Sequence, residues 1–176
     1  TPYTVNKVIS SAGTETNFKP KGSQAMKDTT AYMLVDILKG VPGNFASRSA
    51  IEGLPQAGKT GTTNYTSDQL AQIGLDASTY AAPDGWYAGM TPQYAFAGWV
   101  GYDNPLEENS YLTLADTSIP QAIYKEMITY LTADLPKTDW QKPDNLVEVE
   151  IEKYTDPLML PGPYTPDQAK SKELFI

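Results

Sequence analysis

The run Gly58-Lys59-Thr60-Gly61-Thr62-Thr63-Asn64 decides how this chain is read. It combines one lysine, two glycines that remove side-chain bulk, and three hydroxyls. Such a peptide suits gripping an anionic group close to the backbone. Its spacing also satisfies a second pattern. Gly53-Leu54-Pro55-Gln56-Ala57-Gly58-Lys59-Thr60 matches the phosphate loop, G-x-x-x-x-G-K-[ST], letter for letter. That loop requires a buried strand before it and a helix directly after it, whose N-terminus faces the phosphates. Neither flank fits. Arg48-Ser49-Ala50-Ile51-Glu52 does not read as a core strand, and Gly61 to Thr66 is glycine plus β-branched and turn residues, poor helix material. Pro55 also removes one N–H from the cradle. The phosphate-loop match is read as a coincidence of spacing.

Composition narrows the chemistry. The 176 residues are enough for one domain with a real core, and 40% hydrophobic with 19% charged residues is an ordinary globular balance. Thirteen basic against twenty-one acidic residues give a net charge of −8. Nucleic acid is therefore not expected as a partner, since phosphate neutralisation needs clustered Lys and Arg. No polybasic run suggests docking on anionic lipid. Histidine and cysteine are absent. Disulfides, thiol catalysis and the common zinc cages are excluded, and neither a metal nor a cofactor is expected. Serine chemistry involving this chain would have to use a base other than one of its own histidines, and lysine is the natural substitute. No apolar run approaches the ~20 residues of a membrane span, and no signal peptide opens the sequence.

Working outward, Tyr3 to Ile9 alternates with β-branched residues, and Thr14 to Phe18 follows after Ser10-Ser11-Ala12-Gly13, a pattern that predicts a hairpin. Met33, Leu34, Ile37 and Leu38 predict a helix over 28–39, capped by Asp28 and stopped at Gly40. Val41 to Pro55 reads as an irregular connection. Asn64 to Pro83 is a long polar insertion with a short helix expected around Ser67 to Gly74. Trp86 to Met90 and Tyr94 to Val100 read as two antiparallel strands joined at Thr91-Pro92-Gln93. Ala95 and Ala97 are expected to face a closely packed helix, with Phe96 and Val100 on the other side. Trp86 and Trp99 are read as core, and Asp84 and Asp103 as strand ends. Ser118 predicts the cap of a final helix with Pro120 in its first turn and Ile123, Met127, Tyr130 and Leu131 as its apolar stripe. After Asp134 the chain turns Pro-rich and acidic, with brief alternation at Leu146 to Ile151.

Several motifs in order then point to one family. The Gly58 to Asn64 run, the Asp84-Gly85-Trp86-Tyr87-Ala88-Gly89-Met90-Thr91-Pro92-Gln93-Tyr94 segment and Ala97-Gly98-Trp99-Val100-Gly101-Tyr102-Asp103 together resemble the transpeptidase domain of class A penicillin-binding proteins, the bifunctional peptidoglycan synthases. The hairpin and the Met26-Lys27-Asp28-Thr29-Thr30-Ala31-Tyr32-Met33 helix start are similar to that family's. The resemblance covers roughly Pro2 to Ala133 and leans toward the Gram-positive, streptococcal-like penicillin-binding protein 1a group. One departure is that Lys39-Gly40-Val41-Pro42-Gly43-Asn44 replaces the Gly-Thr-Gly-like connection often found before the box.

The resemblance implies an α+β fold, an antiparallel sheet flanked by helices within a serine penicillin-binding/β-lactamase-like transpeptidase domain. Residues 1–133 would form the C-terminal part of that domain and 134–176 a partly ordered tail. The implied activity is a D,D-transpeptidase, a serine acyltransferase that cross-links stem peptides and is acylated by β-lactams. Neither Ser-x-x-Lys nor Ser-x-Asn occurs here; Thr4-Val5-Asn6-Lys7 and Thr16-Asn17-Phe18-Lys19 have the spacing but fall in the hairpin rather than on a helix. The nucleophile is therefore expected on a preceding segment of the same precursor. Lys59 would supply positive potential, and Thr60 and Thr62 would hold the ligand carboxylate. Gly61 would let the ligand backbone pass, and the Thr62 N–H would form half of an oxyanion hole. Thr63 and Asn64 would flank the substrate. Implied partners are peptidoglycan stem peptides and β-lactams. The implied location is the extracellular face of the bacterial cytoplasmic membrane, anchored by an N-terminal segment. The alternatives are a phosphate-loop nucleotide-binding protein and a non-catalytic cell-wall binding module. A β-lactamase is disfavoured by the long tail.

Overall fold

The computed structural model describes residues 4–18 and 22–176. Tyr3 of the expected hairpin, and Lys19 of one Thr-x-x-Lys spacing, lie outside them. The hairpin itself is present: β1 (Lys7–Ile9) pairs antiparallel with β2 (Glu15–Asn17), and Gly13 takes φ +81 in the turn. Both strands are exposed.

Helix α1 spans Asp28–Asn44 and does not stop at Gly40. Its cap position falls on Lys27, while Asp28 sits inside the first turn with its Oδ1 accepting the Thr29 N–H at 2.8 Å. Pro42 removes one helical donor, yet the helix passes through it because the ring is buried and the end is stitched by other bonds. Asn44 Nδ2 donates to Gly40 O at 2.7 Å, and the N–H groups of Phe45 and Ala46 both reach Val41 O at 2.9 Å. A single turn of tight helix, Ser47–Ser49, then leads toward the sheet.

Three strands make that sheet: β3 (Ala57–Thr62), β4 (Asp84–Met90) and β5 (Ala95–Gly101), antiparallel in the order β3-β4-β5. The Thr91 N–H bonds Tyr94 O at 2.8 Å, and Thr91 Oγ1 accepts from the N–H groups of Gln93 and Tyr94, closing the turn between β4 and β5. Thr60 stands opposite Tyr87, Thr62 opposite Gly85, Lys59 opposite Ala88 and Gly61 opposite Trp86. Since directly paired residues share a face, this register sorts the box into two sides.

Helix α3 (Ile119–Leu131) covers one of them. Tyr124 meets Tyr87 edge-on at 5.2 Å and Phe96 at 5.5 Å between ring centroids. Together with Ala46, Leu54 and Ile128 these rings form the main core, with Val41 and Ile51 packed against it. The close approach requires Gly89, because a Cβ there would overlap the Tyr124 ring. Two expectations are corrected. The face of β5 that meets the helix carries Phe96 and Gly98, while Ala95, Ala97 and Trp99 are exposed. The buried stripe of α3 is Pro120, Gln121, Tyr124 and Ile128, and Ile123, Met127, Tyr130 and Leu131 are exposed. Trp86 and Trp99 are likewise not core: they are paired in register, their rings 6.4 Å apart, and each is nearly half exposed.

The insertion after β3 builds a small core of its own. Helix α2 (Ser67–Gln72) starts with a capping box in which Thr66 and Gln69 satisfy each other's backbone N–H. Leu70, Ile73 and Ala81 cluster under Tyr65, Leu75 and Tyr111, and the Tyr65 hydroxyl donates to the carbonyls of Pro105 and Ser110. Past α3, Lys39 pairs with Asp139 at 2.8 Å and lies over the Trp140 ring. Strands β6 (Val147–Glu152) and β7 (Lys170–Phe175) then form a second two-stranded hairpin, with Leu146 and Ile151 buried.

Candidate active site

Strand β3 is an edge strand of its sheet, its register fixed by β4, and α1 packs against it. Alternation places Thr60 and Thr62 on one face and Lys59 and Gly61 on the other. The two threonines open into a cleft of about 380 Å³. Its walls come from Phe45, Ser47 and Arg48 at the end of α1, from Tyr80 of the insertion, and from Leu114, Thr117, Ser118 and Gln121 around the start of α3. Hydroxyl and amide groups dominate this lining, and Arg48 is its one charged side chain.

Lys59 is exposed, and its Nζ donates to the Thr60 carbonyl at 2.9 Å. It lines a different, apolar recess with Thr60, Phe45, Ile37, Leu38 and Val41. Gly61 has an immediate neighbour on its own face: a Cβ there would lie 3.2 Å from the Trp86 Cβ. Thr63 is engaged within the fold, its Oγ1 donating to Asp84 Oδ1 at 3.0 Å where β4 begins. Asn64 is exposed just beyond the strand end. Thus Thr60 and Thr62 share a cleft, Lys59 sits round the edge, and Thr63 is tied to the neighbouring strand.

Residues that the spacing did not indicate complete the cleft. Arg48 Nη1 donates to Ser118 Oγ at 2.8 Å, and that hydroxyl donates on to Ala115 O at 2.6 Å. Ser118 therefore holds Arg48 instead of capping α3 with its side chain, which makes no cap hydrogen bond. The sequence signal was faint: Arg48 is the single arginine, but seventy residues separate it from Ser118. Behind the strand the Tyr87 hydroxyl is buried without a hydrogen-bond partner of good geometry among the described residues, and the Ser49 hydroxyl beside it donates to Ala46 O at 2.7 Å. Burial raises the Tyr87 phenol above its ordinary pKa, with Ser49 opposing, and raises Tyr124 further, with Tyr87 adding to the effect.

The phosphate-loop reading fails on this geometry. Lys59 and Thr60 lie mid-strand, and the next helix begins only at Ser67, so no helix N-terminus faces the glycines.

An edge strand bearing a Lys-Thr-Gly box, backed by two antiparallel strands and a C-terminal helix, defines a class. The sequence profile of the penicillin binding protein transpeptidase domain matches residues 1–129, and the chain belongs to that family. It is 41% identical to penicillin-binding protein 1A of Streptococcus pneumoniae over 149 residues, 82% of this chain and 20% of that protein. It is 32% identical to penicillin-binding protein 1A/1B of Bacillus subtilis over 176 residues, 99% of this chain and 19% of that protein. The chain thus spans about a fifth of the length of the curated relatives it matches. Among solved structures, the penicillin-binding protein PonA1 from Mycobacterium tuberculosis superposes with a TM-score of 0.57 at 23% identity, covering 80% of this chain and 35% of that one, which supports the fold. Among the described residues no helix is long and apolar enough to cross a membrane.

Proposed function

We propose that this chain supplies the carboxylate-binding and oxyanion-binding strand of a serine D,D-transpeptidase, a protein that cross-links peptidoglycan stem peptides and is acylated by β-lactams. The observation that carries the reading is the placement of Thr60 and Thr62 side by side on an edge strand, open to one polar cleft. A carboxylate lying along the strand meets both hydroxyls, and a hydrogen bond to a charged acceptor is about twice as strong as a neutral one.

The chemistry follows from that anchor. A serine on another segment of the same precursor, within a Ser-x-x-Lys motif and near a Ser-x-Asn, attacks the carbonyl of the D-Ala–D-Ala bond. The carbonyl oxygen becomes an oxyanion, the terminal D-Ala leaves with a proton, and the acyl group passes to the amine of a second stem peptide. The role given to the Thr62 N–H is one of two donors to that oxyanion. On an edge strand alternate N–H groups face away from the sheet, and loss of one such donor costs ~10²–10³-fold in rate. Lys59 contributes positive potential from the rim, and Gly61 leaves the strand bare where ligand backbone passes. Thr63 and Asn64 extend the binding edge. In this reading 1–133 is the C-terminal part of the transpeptidase domain and 134–176 a Pro-rich, acidic, partly ordered C-terminal tail, and the protein works on the outer face of the bacterial cytoplasmic membrane.

Labelling of the full-length protein by a fluorescent penicillin tests the proposal. Covalent label that survives denaturation and is removed by prior unlabelled β-lactam is expected. Absence of label from folded protein would instead favour a non-catalytic wall-binding module.

A further inference from the structure

The cleft shared by Thr60 and Thr62 contains one cation, and it is not Lys59. Lys59 occupies the opposite phase of β3 and its ammonium is bonded to the Thr60 carbonyl. Arg48 reaches the cleft from the turn Ser47–Ser49 that links α1 to the sheet. Among the described residues it forms no ion pair with a carboxylate. Among the described residues its side chain makes one hydrogen bond, from Nη1 to Ser118 Oγ, which sets the plane of the guanidinium and leaves further N–H donors for a ligand. Ser118 is fixed in turn by its bond to Ala115 O. Asp116, two residues before Ser118, is already engaged: its Oδ2 accepts from the Thr113 N–H and Oγ1 at 2.9 and 2.6 Å, which holds its carboxyl below the usual range.

We propose that Arg48 is a specificity-determining residue that binds the ligand carboxylate together with Thr60 and Thr62, and that Ser118 is its positioning residue. This rests on the transpeptidase reading above and adds the charge that two neutral hydroxyls lack. A chain of net charge −8 repels an anionic ligand, and a planar guanidinium answers that with a fork matched to a carboxylate. The ligand class it selects is an acyl donor ending in a free carboxylate.

The test compares acylation of the full-length protein by benzylpenicillin and by its methyl ester, which lacks the carboxylate. Arg48→Gln is expected to slow reaction with the free acid by about 10- to 100-fold while changing the slower ester reaction by less than about threefold. Arg48→Lys, which retains the charge but not the fork, should fall between, and serves in place of the glutamine variant if that one loses thermal stability. Ser118→Ala should give a smaller loss confined to the free acid. Unchanged acylation of Arg48→Gln by the free acid would overturn the proposal, as would an equal loss on acid and ester, which marks a purely structural role. A parent protein that reacts with neither compound would overturn the transpeptidase reading itself, and this inference with it.

Discussion

On one face of the three-stranded sheet Tyr87 is sealed and Phe96 partly covered beneath Tyr124; on the other, Trp86 and Trp99 stand 48% and 45% exposed at adjacent positions of the same strands. Both faces are rich in aromatic and small residues. Only one has a helix fitted to it. The difference teaches that aromatic content did not select the buried face; complementarity did. Gly89 opens a slot that the Tyr124 ring fills, and Gly98 lets Pro120 approach. On the other face Gly101 leaves room only for the ring of Trp99 from its own strand, not for a helix residue, and among the described residues the stripe of α3 formed by Ile123, Met127 and Tyr130 stays exposed.

The largest effect that would break this comparison is removal of the ring at its centre. Tyr124→Ala should cost the domain about 3–5 kcal/mol, the range for a large aromatic lost from a core, whereas Trp99→Ala should cost well under half of that. Chemical denaturation of both variants checks it, and equal losses would remove the distinction between the faces. Next, Gly89→Ala should destabilise by about 1–3 kcal/mol through overpacking against Tyr124, while Ala97→Ser on the open face should stay within about 0.5 kcal/mol.

The same core should respond to alkali. Tyr87 and Tyr124 bind their protons more tightly when folded than when unfolded, mainly because burial disfavours the phenolate. Their contribution is complete below the unfolded value of about 10 and is lost as pH rises beyond it toward the raised folded values. Thermal midpoints measured from pH 8 to 11 should fall above pH 10, and Tyr87→Phe should flatten part of that fall. The smallest effect is expected in the C-terminal hairpin. Glu148 and Lys172 pair at 2.8 Å across β6 and β7, but both are well exposed. The pair lowers Glu148 and raises Lys172. Its contribution would therefore fade as pH falls through the lowered carboxyl and as it rises through the raised ammonium, and Glu148→Gln should leave the melting temperature unchanged in physiological salt.

The comparison also explains what was legible in the sequence. Strands β4 and β5 are legible from their composition and the Thr91-Pro92-Gln93 turn, β3 only from the resemblance carried by Gly58 to Asn64, and a short helix is expected around Ser67 to Gly74 where α2 forms. Local rules failed where a distant partner decides. Two helical stripes on α3 each carry the right period, and only Gly89 and Tyr87, far off in sequence, select Tyr124 and Ile128 over Ile123 and Met127. The expected stop of α1 at Gly40 failed for the same reason: burial of Pro42 and the Asn44 bond to Gly40 hold a turn that propensity alone disfavours. In the candidate site, the pairing of Thr60 with Thr62 was readable from alternation. Arg48 and Ser118 were not, because their meeting depends on how the end of α1 and the start of α3 converge.

The central claim is that Thr60 and Thr62 hold the ligand carboxylate, and its most direct measurement is β-lactam acylation of the full-length Thr60→Val and Thr62→Val variants. Valine keeps shape and strand propensity but removes a hydrogen bond to a charged group worth roughly 1.5–3 kcal/mol. Each variant should therefore acylate about 10- to 100-fold more slowly with unchanged thermal stability, while Asn64→Ala should change the rate less. Because the Thr62 N–H is retained, activity should fall without vanishing. Acylation rates for both valine variants equal to the parent, in folded protein, would contradict the account.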